Sequence, residues 1–582
     1  MSEGQEKRAK DMPIAYDLAR LTIDGFRGVP SIELEFPRNA PLVLIGGNNC
    51  GKSTILNSIA FALESAKFYS YEVDEYDFFR NITGQARDNF SIDIDFAADR
   101  PEYLPAVRGI ESPIPLYGSR ATGRRYKNDG RLESRVVLFG KDRKAATYST
   151  RTPLRGETKE KWADHEIDYR KFTARWRDVQ DCKPEVWHLT PDNLYASLYT
   201  WKTGPLQRLS SWLAKSFLQT KWTFDYDKKE RAMPDSMRAA HRFFAEAVAN
   251  FPMWKDDLRP RFAATLSSYV GRQAGLDLQP QIQDIEDWLT QQLMLSFSTD
   301  AGGAPTPLNC MGHGWQSLVR MAALEVLSQI PQQVRERVVL LVEEPETYLH
   351  PHLARRFRRV LNTLAAQGWV VVLSTHSPSL FRVDGNEVVL RLRREGDKVS
   401  MGSSKAADIG DGFRVQARLD ERGTHEFMFA QRAVLCEGKD DVYALKLYLS
   451  KLNADLDTLS VTVVDGGGVQ NLPDYAAIAS KLAIPWIAVT DEDIVNRTVN
   501  PKTEKVRKKL RETESTRDTQ VQWKVDLEHC LNSTDASPDW QAQHIEPLNL
   551  DEIRTKFPLY VAAADTVAKF LGVDEKGMPE KV

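Results

Sequence analysis

Residues 41–53 read Pro-Leu-Val-Leu-Ile-Gly-Gly-Asn-Asn-Cys-Gly-Lys-Ser. An apolar run of strand length, Pro41 to Ile45, passes into a glycine-rich turn and then into a helical stretch from Ser53 to about Lys67. Gly46 to Ser53 fits the spacing G-x-x-x-x-G-K-[ST]. In that context backbone N–H groups of the turn and of the helix N-terminus converge on a phosphate, Lys52 adds a positive charge, and Ser53 offers a hydroxyl to Mg²⁺. Gly46, Asn48, Asn49, Gly51, Lys52, Ser53 and Thr54 are therefore the expected nucleotide contacts, with ATP as the cofactor. The octamer alone in a loop would mean little. The strand before it and the helix after it give it weight, and they point to an α/β fold.

Working outward, Leu21–Ile23, Ile32–Phe36 and Phe90–Phe96 read as further strands, the last two by period-2 alternation. Far downstream, Val338–Val342 has the continuous apolar character of a buried strand and ends in Glu343-Glu344-Pro345. Acids at the carboxyl end of such a strand lie where a parallel α/β sheet presents its ligands. Glu343 is placed in the magnesium shell, and Glu344 is placed to orient or deprotonate the attacking water. The strand Trp369–Leu373 leads into Ser374-Thr375-His376-Ser377-Pro378, which puts His376 beside the γ-phosphate. A lone histidine at a strand end is more often a capping or core residue; here its neighbours argue for function.

With 582 residues the chain exceeds a single core. Its formal net charge of −3 excludes a protein that grips a polyanion with its whole surface, so any nucleic-acid contact must be local. Residues 120–155 are one such locality, with eleven Lys or Arg against three acids, although a solvated loop face is the plainer reading. The five cysteines are scattered without a CxxC pair, which argues against a zinc ribbon or disulfide framework. No apolar run reaches the ~20 residues of a membrane span, and the polar N-terminus does not look like a secretion signal. A cytoplasmic location is expected. Between about 100 and 300 the pattern loosens to aromatic and charged residues at helical spacing, without a catalytic motif. Residues 395–425 suit hairpins and a linker, and 502–517 is a charged loop or helix.

A second α/β pattern starts at Ala433–Cys436. Glu437-Gly438-Lys439-Asp440-Asp441 follows that strand and opens a helix. Asp465-Gly466-Gly467-Gly468 follows the strand Val461–Val464, and Asp491-Glu492-Asp493 follows Trp486–Thr490. Asp526 and Glu528 repeat the alternate-acid spacing of Asp491 and Asp493. Carboxylates gathered at strand ends repel one another unless cations neutralise them, and oxygen-only ligands select Mg²⁺ or Mn²⁺. A paired-metal clamp of this kind suits phosphodiester cleavage.

The glycine loop, the EEPE-x-x-LHP run from Glu343 to Pro351 and the STHSP run resemble ABC-type ATPase heads of the RecF/SMC class. The E-G-x-x-D and D-x-D patterns resemble the Toprim domain of topoisomerases, primases and some nucleases. An ABC head followed by Toprim is similar to the OLD (overcoming lysogenization defect) family of ATP-dependent endonucleases, including the nuclease of the Gabija antiphage system. The resemblance covers about 15–100 and 300–582. It implies a RecF/SMC-like head in two parts, 1–100 and 301–425, a helical insertion at 101–300 that serves dimerisation, and a Toprim nuclease domain at 426–582. It implies a homodimer or homotetramer, because such heads close ATP against a partner's glycine-rich signature. Gly314 and Gln316 match that signature, with His313 between Gly312 and Gly314, although Gly312–Gln316 departs from the usual LSGGQ. It further implies DNA as substrate, a helicase-like partner, and metal ligation by Glu437 with Asp441, Asp491 with Asp493, and Asp526 with Glu528. Lys569, or alternatively Lys556, would neutralise the scissile phosphate. A topoisomerase would need a nucleophilic tyrosine on a separate DNA-gate domain and a primase usually brings a zinc module; neither is evident. An ATP-driven scaffold with an inactive Toprim domain conflicts with the intact acids.

Overall fold

The computed structural model describes residues 17–63, 73–97, 117–126, 132–139, 184–191, 250–279, 294–298, 306–329, 338–405, 411–492, 501–512 and 520–573, together with isolated residues and short pieces between them. The chain forms two compact units. One comprises Met1–Leu42, Gly51–Leu380 and Gly396–Lys398; the other comprises Val43–Cys50, Phe381–Glu395 and Val399–Val582.

In the first unit an antiparallel sheet is built on Asp17–Phe26, which pairs with Val29–Glu35 on one side and Asn89–Ala97 on the other. The alternation seen in the sequence is the alternation of burial: Leu21, Ile23, Ile92 and Ile94 are buried while Arg20, Glu33 and Glu35 face out. Gly118–Arg125 and Leu132–Phe139 extend this sheet as a hairpin. That corrects the expectation of a helical insertion from residue 101. Gly123 shows why the strand fits, since a Cβ there would meet the Phe90 ring at 2.0 Å. Part of the basic 120–155 stretch is also accounted for, because Arg120 makes a two-pronged contact with Asp93 at 2.6 and 2.8 Å. Further strands, Gly275–Gln279 and Met294–Ser298, pair antiparallel within the region read as helical, beside the helix Arg259–Val270.

The same unit holds three parallel strands in the order Glu185–Leu189, Val338–Glu343, Val370–Ser374. The central strand is buried along Val338–Val342 as its composition required. The helix Lys52–Ala62 packs on the last two strands. His313–Gln329 is a helix. Arg356 ties it to its neighbours: its guanidinium reaches Glu325 at 3.0 Å and lies over the Tyr269 ring at 3.8 Å.

In the second unit the buried strand Leu42–Gly46 lies beside Val388–Glu395, and Lys398–Ser404 lies on the far side of the latter. Residues 412–422, expected to be linker, form a helix started by Asp411, whose carboxylate accepts from Arg414 N at 3.1 Å. The rest of the unit is a four-stranded parallel sheet in the order Val461–Asp465, Arg432–Cys436, Trp486–Asp491, Gln520–Trp523. Its helices include Lys439–Lys451, Leu472–Lys481 and Pro558–Phe570. The first and last of these share one core with the sheet, with Tyr448, Trp523 and Tyr560 fully buried, Tyr560 stacked on Trp523 and its hydroxyl donating to Ala444 O at 2.6 Å. Every strand of a parallel sheet points its carboxyl end the same way. Glu437, Asp465 and Asp491 therefore arrive at one edge.

Candidate functional site

The Gly46–Ser53 segment turns through positive φ at Gly46, Asn49 and Gly51 before the helix starts at Lys52. Gly46 has no alternative: a Cβ there would sit 2.3 Å from the Leu392 carbonyl oxygen. Lys52 is buried and Ser53 is exposed at the helix start, as an anion cradle requires. Opposite the helix, Glu343 and Ser374 are register partners at the ends of adjacent parallel strands. Glu344 leaves the strand at φ 41, held by its N–H donating to Ser374 O at 3.0 Å. Its Oε1 lies 3.6 Å from His376 Nε2. Burial and then the charge of Lys52 lower the His376 pKa, so the ring is neutral at pH 7 and able to accept or donate. Glu344, His376 and Lys52 are thus gathered around one helix N-terminus.

Two residues in this site were given no role by the sequence reading, although Glu346 lies within the EEPE run. His188, on the strand Glu185–Leu189, brings Nε2 to 3.8 Å from Glu343 Oε2. Glu346 accepts the His376 N–H at 2.5 Å and so fixes the backbone of the sensor; burial raises its pKa. The signature candidate lies at the start of the His313–Gln329 helix. Added Cβ atoms at Gly312 or Gly314 would meet nothing within 4 Å, and His313 stacks on Tyr348 at 5.2 Å. Gln316 turns inward, its amide donating to Met311 O at 2.8 Å. It is placed as the anchor of the turn.

The second site is the carboxyl edge of the four-stranded sheet. Asp441 is buried at the third position of its helix, where Oδ2 accepts from Gly438 N at 2.8 Å and Oδ1 accepts from the Trp523 indole at 2.6 Å. The glycine loop after Asp465 is laced to the neighbouring strand, with Gly466 N donating to Cys436 O at 2.9 Å and Gly468 N to Glu437 O at 2.7 Å. A Cβ on Gly466 would meet Leu472 at 2.5 Å. The loop therefore fixes the backbone from which Glu437 projects.

Asp491 ends its strand half-buried, and its Oδ1 is buried without a hydrogen-bond partner. Its pKa is pushed up to about 8, by burial first and then by Asp441, Glu437, Glu528 and Asp526. Asp441 is pushed up to about 6, again by burial, with Glu437 and Asp440 adding while its two hydrogen bonds oppose. Five expected ligands thus feel one another's charge. Among the described residues no three His, Cys, Asp or Glu side chains stand close enough together to ligate an ion as placed. Even so, an orphaned buried carboxylate oxygen among like charges has the character of a divalent-cation site. Asp493 lies outside the described residues.

Two expectations change. Asp526 and Glu528 do not alternate along a strand: the strand is Gln520–Trp523, Val525 turns at φ 74, and Asp526 caps the short helix Leu527–Cys530 by accepting from His529 N at 2.7 Å. Glu492, between the two expected ligands, reaches across to accept from Val525 N at 3.0 Å and pins that turn. Lys569 is exposed in the last turn of its helix. Two residues on, Leu571 O accepts from Arg432 at 3.0 Å, and Arg432 begins the strand that leads to Glu437. Lys569 is therefore at the amino edge of the sheet, a strand length or roughly 15 Å from the acids. Lys556 fits better: its carbonyl accepts from Asn532, just beyond the helix that Asp526 caps.

A glycine-rich turn leading into a helix N-terminus, and an acid-edged parallel sheet, are the features expected of an ATPase head and of a Toprim domain. Comparison with known sequences agrees. Residues 428–493 match the overcoming lysogenization defect protein-like TOPRIM domain, 254–381 match an AAA ATPase domain, and 20–168 match an AAA domain. The OLD nuclease of Thermus scotoductus is 32% identical over 193 residues, which are 32% of this chain and 36% of that protein. The Old nuclease of Escherichia phage P2 is 24% identical over 201 residues, which are 32% and 33% of the two chains. The chain thus spans about a third of the length of the curated relatives it matches. These matches show a likeness to AAA ATPase and OLD-like TOPRIM domains, in that order along the chain. Among solved structures, the Smc head domain of Pyrococcus furiosus, with an extended coiled coil and the C-terminal domain of ScpA, aligns at TM-score 0.38 and 15% identity over 69% of this chain and 98% of that one. The fold assignment stands on the strand order and motifs, not on that alignment. No helix among the described residues is long and apolar enough to cross a membrane.

Proposed function

We propose that this chain is an ATP-binding, divalent-metal-dependent DNA endonuclease that cuts or nicks DNA at its Toprim edge. The observation that carries this reading is Asp491: a half-buried carboxylate with one buried, orphaned oxygen, its pKa raised to about 8 by burial and by four neighbouring acids. Glu437, Asp441, Asp491, Asp493, Asp526 and Glu528 are the proposed ligands of Mg²⁺ or Mn²⁺. Such ions would supply positive charge to a nucleophilic water and to the departing 3′ oxygen. Trp523 and Gly438 hold Asp441, and the Asp465 loop holds Glu437, so the protein presents the acids in fixed positions. Lys556 rather than Lys569 is assigned to the scissile phosphate.

In the head, Lys52 and the Gly46–Thr54 turn would hold the phosphates of ATP, Ser53 and Glu343 its magnesium ion, and Glu344 with His376 the attacking water. Paired heads, each completing its neighbour's site through Gly314, make the chain a homodimer or homotetramer. The division into a two-part head and a Toprim domain belongs to the same proposal, as do a role in antiphage defence and a helicase-like partner, both resting on the likeness to Gabija nucleases.

The test is incubation of the full chain with supercoiled plasmid and Mg²⁺ or Mn²⁺, with and without ATP. Nicked or linear product is expected. Relaxed closed circles would replace the nuclease with a topoisomerase, and unchanged plasmid across both metals would leave a binding scaffold.

A further inference from the structure

Between the strands Trp486–Asp491 and Gln520–Trp523 the chain runs through the helix Pro501–Glu512. Its twelve residues hold six Lys or Arg and two Glu, in a chain whose net charge is −3. The inner side carries Arg507 and Leu510, both buried. Arg507 donates to the Asp491 carbonyl, and the helix packs on the Val469–Asn471 turn that follows the Asp465 glycine loop. Both supports belong to the acid edge, so the helix borders the candidate metal site. Its outer side presents Lys505, Lys508 and Lys509, all exposed. Spaced i, i+3 and i+4, they share one face. Lys505 and Lys509 are like charges one turn apart, a spacing that suits contact with a polyanion.

We infer that this face binds the phosphate backbone of duplex DNA beside the bond to be cut. The inference rests on the nuclease reading and extends it: the acids and their cations take one phosphate, while Lys505, Lys508 and Lys509 hold its neighbours. A chain with an acidic total charge needs such a local patch, because its general field repels DNA. The buried Arg507 makes the patch rigid with respect to Asp491, so backbone contact and cleavage are held in one register.

The test uses the full chain carrying Asp491→Ala, so that DNA is not consumed, and a fluorescent duplex titrated at about 50 to 200 mM KCl, where backbone contacts dominate the salt response. Each released contact contributes about 0.9 to the slope of log K against log salt. Adding Lys505→Gln, Lys508→Gln and Lys509→Gln is expected to lower affinity at least tenfold and to flatten the slope by about 2 to 3. The corresponding triple Arg substitution keeps both, and ATP hydrolysis and the melting transition stay at the parent level. If the triple Gln chain melts early, Lys508→Gln alone decides, with an expected slope change of about 0.9. An unchanged slope with unchanged affinity overturns this inference and leaves the nuclease reading standing. A parent chain that binds no duplex at any salt overturns both.

Discussion

Asp491→Ala is expected to abolish DNA cleavage, a loss of at least about 10²–10³-fold, while ATP hydrolysis stays at the unsubstituted rate. The separation follows from where the residues lie. Asp491 is the last residue of a Toprim strand, whereas Lys52, Glu344 and His376 belong to the other unit. Glu437→Ala should behave alike, since it removes the carboxylate but keeps the backbone that Gly468 N fixes through the residue's carbonyl. Neither substitution harms the fold. The Asp491 carboxyl has a folded pKa of about 8, above its ordinary 3.8. Its contribution is therefore greatest below pH 4 and is lost as pH rises through 8, where the charged form becomes a burden on the metal-free chain. Melting in EDTA at pH 8 should accordingly be unchanged or raised for Asp491→Ala. A collapsed melt would mark Asp491 as structural, and full cleavage by a folded variant would remove it from the centre.

Glu344→Gln slows ATP hydrolysis by about 10²–10⁴ while ATP still binds. The geometry singles Glu344 out from its neighbour. Glu343 ends the strand in register with Ser374 and lies near the buried His188, as a residue fixed for an ion would. Glu344 instead turns out at positive φ toward His376. Glutamine keeps the shape and the approach to His376 but cannot take a proton from water. Single-turnover hydrolysis beside nucleotide binding by filter retention separates the two outcomes: weak binding with the rate per bound ATP unchanged would deny Glu344 its role. Metal-dependent plasmid cleavage should persist in this variant.

Much of both sites was legible because each motif sits beside a strand that announces it. The apolar run before Gly46 and the buried strands before Glu343, Glu437 and Asp491 each fix a carboxyl end, and short-range chemistry does the rest. What was hidden depends on partners far along the chain. His188 meets Glu343 only through strand pairing across 155 positions, and Trp523 reaches Asp441 across 82. Arg507 looked like one more cation in a charged run until the helix turned it onto Asp491. Asp526 and Glu528 imitated a strand because two-residue spacing also arises at a helix cap, where Asp526 accepts from His529. Lys569 illustrates the limit of position along the sequence, because a helix rising 1.5 Å per residue carried it to the wrong edge of the sheet.

The central claim is that the Toprim edge is a divalent-metal centre. Mn²⁺ binding to the full chain without nucleotide, followed by electron paramagnetic resonance of the free ion, tests it most directly. The unsubstituted chain should take up Mn²⁺, and Asp491→Ala and Glu437→Ala should lose that uptake while Glu344→Gln retains it. Equal uptake by folded Asp491→Ala, Glu437→Ala and unsubstituted chains would contradict the account.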